Sequence, residues 1–348
     1  MTLGPMTLQA VQGQSRAVAA LRAALQRGAL PHACLFTGPS GVGKELAAVG
    51  VAQALLCPEA KAEGCGRCST CTRIERFAHP DVLWLLPEEE QVRRRLAGRS
   101  DFAHVPSRDV RVEQVRRLQE RLSLRGLESA RKVVLVLSAE AMNPAAQNAF
   151  LKTLEEPPSD TTLLVVSSAP DRLLPTLRSR CVRFAFAPLP RQLVAARLGE
   201  LRGLESVQAE AVATLADGSL ERALSLKPER LESRRATIRA FEAVKGSDLR
   251  SALRFAEVAG SSREEAEEAL GVLAMWVRDV AVVPFGQPLF HPELRALATA
   301  AAQRLDEDQL HWRFRLLDEA LVAIRQRNAS PRLQLERLAL EMSGASPE

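Results

Sequence analysis

Tyrosine is missing from the 348 residues altogether, and phenylalanine and tryptophan together bring the aromatic share to only 4%. Sites that grip single-stranded nucleic acid stack bases on aromatic rings set along a basic groove. Here the arginines and lysines are not interleaved with rings, which argues against a dedicated groove of that kind. Long apolar runs are missing too. A bilayer-spanning helix needs about 20 consecutive apolar residues, and the best stretch, residues 270–283, is broken by Arg278 and Asp279. No membrane partner is expected. Residues 1–11 hold no charged region followed by a continuous apolar run, so no secretion leader is expected and the protein is expected to be cytoplasmic. There is no internal repeat and no low-complexity tract. Cysteines are few, six in all, and in a cytoplasmic protein they point to a metal site or free thiols rather than disulfides.

What is present is an ordinary globular balance, 46% hydrophobic and 26% charged. A chain of 348 residues has room for two or three domains and buries enough surface to need no staples. The net charge of +5 is mildly basic and discriminates little between partners.

Val18, Leu21 and Leu25 give helical spacing within residues 8–30. The apolar run at residues 33–37 reads as a buried strand, followed by a Gly-rich turn and a helix over residues 44–56. Further strands are expected at 81–86, 133–137 and 163–166, and helices at 110–124 and 144–156. Asn143 caps the latter with Pro144 at its first position, and Pro157-Pro158 stops it. Residues 87–108 read as an exposed polar connection. Strands alternating with helices imply an α/β fold with a parallel sheet covered on both faces. Past Phe186 no strand is expected. Residues 192–226 read as short helices, 228–234 as a charged linker, and the remainder as long helices.

Gly38-Pro39-Ser40-Gly41-Val42-Gly43-Lys44 matches the phosphate-binding loop through its lysine, with a strand before and a helix after. The bland reading is a Gly-rich turn that starts a helix. In the functional reading Gly38, Gly41 and Gly43 let backbone N–H groups approach an anion, and Lys44 reaches the outer phosphates. The next position should carry the hydroxyl that ligates Mg²⁺; here it is Glu45. The strand at 133–137 should lead into a metal-binding Asp and a water-polarising Glu, but the two positions read Ser138-Ala139. Glu140 comes one residue late, and a slip of one on a strand turns a side chain to the other face. With hydroxyl, metal carboxylate and base all gone, negligible ATP hydrolysis is expected. ATP binding is a separate property that the motif does not fix. The rival reading makes Glu140 the catalytic carboxylate and the chain a working ATPase.

Cys57, Cys65, Cys68 and Cys71 are spaced C-x7-C-x2-C-x2-C. The two short steps suit one tetrahedral Zn²⁺, and four thiolates leave no open coordination position, so the zinc is expected to be structural. An iron–sulfur cluster or redox disulfides remain as alternatives by spacing. Cys34 and Cys181 are not expected to bind metal. His32 and His79 lack spaced partners and read as structural, Arg93-Arg94-Arg95 as a solvated face, and Trp84 and Trp276 as core.

The phosphate loop, the four-cysteine insert, Leu151-Lys152-Thr153-Leu154-Glu155-Glu156-Pro157-Pro158 and Thr176-Leu177-Arg178-Ser179-Arg180-Cys181 occur in one order. Val11-Gln12-Gly13-Gln14 precedes them and Asn328-Ala329-Ser330-Pro331 follows. As a set they resemble the bacterial DNA polymerase III clamp-loader family over nearly the whole chain. The resemblance implies an AAA+ P-loop domain over residues 1–187 carrying a zinc module at 57–71. A small helical lid over 188–229 and an all-α collar over 230–348 would follow, the collar joining a five-subunit ring. It implies as partners the motor subunits (gamma or tau), the delta subunit, the sliding clamp and primed DNA. Motor subunits of the family keep the acidic pair after the strand; a companion class does not, and Ser138-Ala139 sorts this chain with the companions. Glu221, in Asp217-Gly218-Ser219-Leu220-Glu221-Arg222, fills a slot where motor subunits carry a nucleotide-sensing arginine. The resemblance also assigns Arg180 the role of an arginine finger projecting into a neighbouring motor subunit's ATP site, with Arg178 a nearby competitor. Read from its residue type alone, Arg180 is a surface arginine in a salt bridge.

Overall fold

The computed structural model describes residues 6–60, 62–226, 228–244, 249–260, 262–327 and 329–344. Asn328 of the C-terminal motif, the first five residues and the last four lie outside the described residues. The strands are β1 (Ala33–Thr37), β2 (Val82–Leu85), β3 (Lys132–Val136), β4 (Thr161–Ser167) and β5 (Val182–Ala185). They make one parallel sheet in the order β2-β3-β4-β1-β5. Strands buried on both faces read as continuous apolar runs rather than alternating ones, and β1 and β3 are buried at every position. The α/β reading with a parallel sheet therefore holds.

Among the described residues, the helices that accompany the sheet are α1 (Ser15–Gln26), α2 (Lys44–Leu56), α3 (Ser69–Glu75), α4 (Glu88–Arg93), α5 (Val112–Ser123), α6 (Pro144–Glu155) and α7 (Pro175–Ser179). Val115, Leu118 and Leu122 of α5 and Phe150 and Leu154 of α6 share a core with Leu35, Val134, Val136, Leu163 and Val165 of the sheet. Asn143 caps α6, its side chain accepting from Ala146 N at 2.8 Å. Thr37 pairs with Ser167 across β1 and β4, and Val136 with Val165 across β3 and β4. That register lines up the phosphate loop, the residues after β4 and the residues after β3 along the carboxyl edge of the sheet, where ligands of open α/β sheets bind.

From Arg191 onward the described residues contain only helices: α8 (Arg191–Arg202), α9 (Ser206–Leu215), α10 (Leu220–Ser225), α11 (Pro228–Glu242), α12 (Leu249–Ala259), α13 (Arg263–Val282), α14 (Arg295–Ala302), α15 (Glu307–Arg327) and α16 (Pro331–Gly344), with short 3-10 turns. The chain divides into two compact units, Met1–Leu193 with Gly218–Glu221, and Val194–Asp217 with Arg222–Glu348. In the second unit Ile238, Phe255, Leu273, Trp276, Leu317, Ile324 and Leu335 belong to one hydrophobic core. Trp276 donates to Glu242 at 2.8 Å, giving its indole the partner that a buried ring needs.

Three elements differ from the sequence reading. β5 carries no apolar pattern in the sequence, because it is short, lies on the sheet edge and is largely exposed. The charged linker at 228–234 is the start of α11: proline is well placed at a first helical position, and Glu and Arg are good helix formers. The connection at 87–108 holds α4 and a buried Glu88, which accepts from Ser107 N at 2.9 Å and bonds His104 at 2.8 Å.

Asp81, just before β2, is 3% exposed. Its carboxylate accepts from Leu127 N (2.7 Å), Glu128 N (2.9 Å) and Ser129 N (2.7 Å), fixing the loop before β3. Burial pushes this carboxyl up, but the three backbone donors outweigh it and hold it below the ordinary carboxylate value. Asp81→Ala strands three donors and should destabilise the fold by about 3 kcal/mol, read as a lower melting temperature. Because the folded carboxyl is the more acidic one, its contribution is complete above pH ~4 and is lost as pH falls through the folded value. An acid melting series on the unaltered protein and on Asp81→Ala should show that loss only in the former.

Candidate functional site

The phosphate loop sits where the sequence placed it, between β1 and α2. Gly43, in a left-handed conformation, caps α2. Lys44 is 5% exposed. Its ammonium donates to Gly38 O at 2.7 Å, to Pro39 O, and to Ser168 Oγ at 3.0 Å. An ammonium has three protons, so every donor is already used within the chain. Burial lowers its pKa to about 8, against the opposing pull of Glu140 and Glu221.

Gly41 is covered. A Cβ built there would lie 2.5 Å from Glu221 Cβ and 2.7 Å from Ser219 Oγ, and Leu220 N donates to Gly41 O at 3.1 Å. Residues Gly218–Glu221 thus press on the loop at the point where a phosphate-binding backbone must be open. This contact crosses some 180 residues of sequence.

Glu45 does not face the loop. Its carboxylate takes both terminal nitrogens of Arg94, one of them at 2.8 Å. Arg94 also bonds Glu90 at 2.5 Å and lies over the Phe77 ring at 5.4 Å. The solvated-face reading therefore fails for Arg94, which is drawn inward by two carboxylates and a ring, while Arg93 stays exposed beside Glu90.

After β3 the chain reads Leu137, Ser138, Ala139, and Leu137 N still pairs with Leu85 O. Whichever two of these are taken as the strand-end pair, neither is acidic. Ser138 adopts a left-handed conformation, φ 52°, entering the turn Ala139–Ala141. Within that turn, Glu140 Oε1 accepts from Ser168 N at 3.1 Å, and its buried Oε2 has no partner among the described residues. Lys44, Ser168 and Glu140 thus form one chain of contacts across the sheet edge.

Arg180 caps α7 at its C-terminus. Its guanidinium pairs with Glu155 at 2.6 Å, donates to Thr176 O at 2.9 Å, and is 37% exposed. Cys34 pairs with Val182 across β1 and β5, so Arg180 stands level with the start of β1 while Gly38 follows its end. The Cys34–Val182 pair that opens β5 lies four residues before Gly38, about 13 Å along the strand at ~3.3 Å per residue. Arg178 pairs with Asp171 at 3.1 Å. With Thr37, Ser179 and Arg183 these two residues line a cleft of about 570 Å³. Arg183, which the sequence reading missed, donates to Thr37 Oγ1 at 2.8 Å.

The four cysteines come together. Their sulfurs all lie within 4.8 Å of one another, with Cys57–Cys68 at 3.9 Å and Cys65–Cys71 at 4.0 Å. A tetrahedron with metal–sulfur bonds of ~2.3 Å has edges of ~3.8 Å, so the set fits one ion. Backbone N–H groups of Ala60, Cys68 and Cys71 point at Cys57, Cys65 and Cys68 sulfurs at 3.2–3.4 Å. Burial raises the Cys57 thiol, but the backbone N–H groups of Ala60, Cys65 and Glu59 and the hydrogen bond with the Cys65 thiol outweigh it and bring it to about 7. Cys34 and Cys181 stay outside the cluster, raised by burial to about 12 and about 11. His79 is buried, accepting from Asp81 N at 3.2 Å, as a structural histidine would.

Residues 13–190 match the family described as "DNA polymerase III, delta subunit". The DNA polymerase III subunit delta' of Pseudomonas aeruginosa is 44% identical over 160 residues, covering 46% of this chain and 44% of that one. The Bacillus subtilis delta' is 33% identical over 230 residues, covering 66% and 64%. The tau subunit of Bacillus subtilis is 29% identical over 228 residues, covering 64% and 37%. The chain thus spans less than two thirds of the length of each of these relatives. Among solved structures, a gamma subunit-related protein of Thermotoga maritima aligns over 93% of this chain and 98% of that one at 16% identity, with a TM-score of 0.42.

Proposed function

The chain belongs to the DNA polymerase III delta-prime family, and from that premise we propose that it serves as a non-hydrolysing subunit of a sliding-clamp loader. In that role it supplies Arg180 in trans to the ATP site of a neighbouring gamma or tau subunit. The delta subunit, the sliding clamp and primed DNA complete its partners. The four cysteines hold one structural Zn²⁺, residues 188–229 act as a lid and residues 230–348 as a ring-forming collar. Among the described residues no helix is long and apolar enough to cross a membrane, and the cytoplasm is the compartment proposed.

The observation that carries the non-hydrolysing reading is Lys44. Its donors are tied to Gly38 O, Pro39 O and Ser168 Oγ, so an entering phosphate must break all three bonds. It must do so in a loop overlaid by Glu221, without the Mg²⁺ hydroxyl or the strand-end carboxylates on which phosphoryl transfer depends. The reading that makes Glu140 a general base has its unpartnered Oε2 in its favour. Against it, the other oxygen is fixed to Ser168 N, and among the described residues Glu140 joins no cluster of His, Cys, Asp or Glu that could hold a metal.

Lys44→Ala tests the proposal. In a loader reassembled with motor and delta subunits, stimulated ATP hydrolysis should stay within about twofold of the unaltered complex. The chain alone should show no saturable ATP binding, with or without Mg²⁺. Turnover by the isolated chain that Lys44→Ala abolishes would sink the reading and restore the ATPase alternative.

A further inference from the structure

Helix α6 ends on two carboxylates, Glu155 at its last position and Glu156 as its C-terminal cap. Acids are misplaced there. The C-terminal end of a helix carries negative partial charge, and cations are what stabilise it. Pro157 stops the helix whatever precedes it, so helix formation gives no reason for Glu at position 155. The reason lies at the end of α7. Glu155 Oε1 meets Arg180 Nη2 at 2.6 Å, and from the other side Arg180 Nη1 donates to Thr176 O at 2.9 Å. Both partners stand on fixed ground. Gln119 of α5 donates to Ala149 O at 2.9 Å and to Thr153 Oγ1 at 3.0 Å, tying down the last turns of α6, and the buried Leu154 anchors them in the sheet core. Thr176 lies in α7, which Pro175 starts and the buried Leu177 anchors in the same core. Two rigid elements therefore steer one guanidinium.

We propose that Glu155 is a positioning residue for Arg180, ordering the guanidinium before a neighbouring ATP site closes on it; this rests on the in-trans role given to Arg180 above. An arginine loose in water samples many rotamers, and a finger must give that freedom up when it engages. A side chain already steered by one carboxylate and one carbonyl gives up less, which is the gain from pre-ordering. Other acids are not placed for the task. Asp171 is taken by Arg178 at 3.1 Å, and Glu156 forms no ion pair among the described residues. The Glu155 side chain is 48% exposed and that of Arg180 37%. An ion pair this open to water is weak, so it steers the fork without trapping it, and the rest of the fork stays available to a phosphate. Glu155 itself touches neither nucleotide nor attacking water; it acts through Arg180.

The test is a double-mutant cycle in the full chain reassembled with motor and delta subunits, after sizing shows equal assembly. The quantity read is the share of stimulated ATP hydrolysis that Arg180→Ala removes. Glu155→Ala should cut that share about tenfold, the order of the rotamer freedom returned to the arginine. The fall should appear in kcat, with KM for ATP unchanged. Glu155→Ala together with Arg180→Ala should be no slower than Arg180→Ala alone, because a positioning residue has nothing left to position. Melting temperature should be unchanged in every variant, since the pair is exposed. In the isolated chain the Arg180 Nε resonance, assigned by its loss in Arg180→Ala, should gain picosecond-to-nanosecond mobility in Glu155→Ala. Hydrolysis that Glu155→Ala leaves unchanged or raises, a change confined to KM, a double variant slower than Arg180→Ala, a lowered melting temperature or unchanged Arg180 mobility would each overturn the positioning role while the finger stands. An Arg180→Ala loader that hydrolyses at the unaltered rate rejects the finger reading itself, and this inference falls with it.

Discussion

Arg180→Ala should silence ATP hydrolysis at the motor site to which the proposed role assigns it, leaving the reassembled loader only what its other sites deliver. An arginine finger is worth ~10³–10⁵ in rate, or roughly 4–7 kcal/mol of barrier at ~1.4 kcal/mol per decade. The side chain suits that role, being permanently charged, forked and partly exposed. Its present partners, Glu155 and Thr176 O, orient it without burying it. A surface ion pair of that kind contributes only ~0–1 kcal/mol, so the guanidinium is released at little expense. Arg180→Lys should restore little, because a point charge lacks the fork. Sizing must first show equal assembly, and Lys44→Ala serves as the internal contrast, since it should change almost nothing. If hydrolysis survives Arg180→Ala untouched, the finger role passes to Arg178 beside its cleft, or the chain acts by architecture alone.

If the four cysteines hold zinc as proposed, removing it should have the largest effect on stability. Structural Zn²⁺ in small thiolate modules is bound with ~10–16 kcal/mol that appears as folding free energy. Here the module is joined to the end of α2. Cys57 caps that helix, Gln53 donates to Cys71 O at 3.2 Å, and Gly64 packs against Gln53. Strong chelation, or Cys71→Ala, should release one zinc per chain, unfold residues 57–71 and lower the melting temperature sharply. Cys34→Ser should keep the zinc, because that thiol is buried in β1, away from the cluster. Metal retained by Cys71→Ala, or iron found in place of zinc, would contradict the assignment.

Much of this was legible because its causes are local. The continuous run at Ala33–Thr37, the glycines and lysine after it, Asn143 with Pro144, and the two C-x2-C steps each carry their structural reason within a few residues. What escaped the sequence depends on groups brought together from afar. Glu45 is 49 positions from the Arg94 that neutralises it, and Glu221 is some 180 from the glycine it covers. No periodicity signals either contact. β5 escaped because an exposed edge strand buries too little to show a pattern, and the start of α11 because a charged, proline-led segment resembles a linker as much as a first turn.

The cover over Gly41 also bears on evolutionary reversibility. Placing an acidic pair after β3 would not by itself open the phosphate loop while Glu221 lies on Gly41, Lys44 is bonded to its own loop and Glu45 is held by Arg94. A hydroxyl at position 45 would also break an existing contact, the Glu45–Arg94 pair. Under the non-hydrolysing role proposed above, the route back to a motor would cross several such steps, and the loss would act as a ratchet.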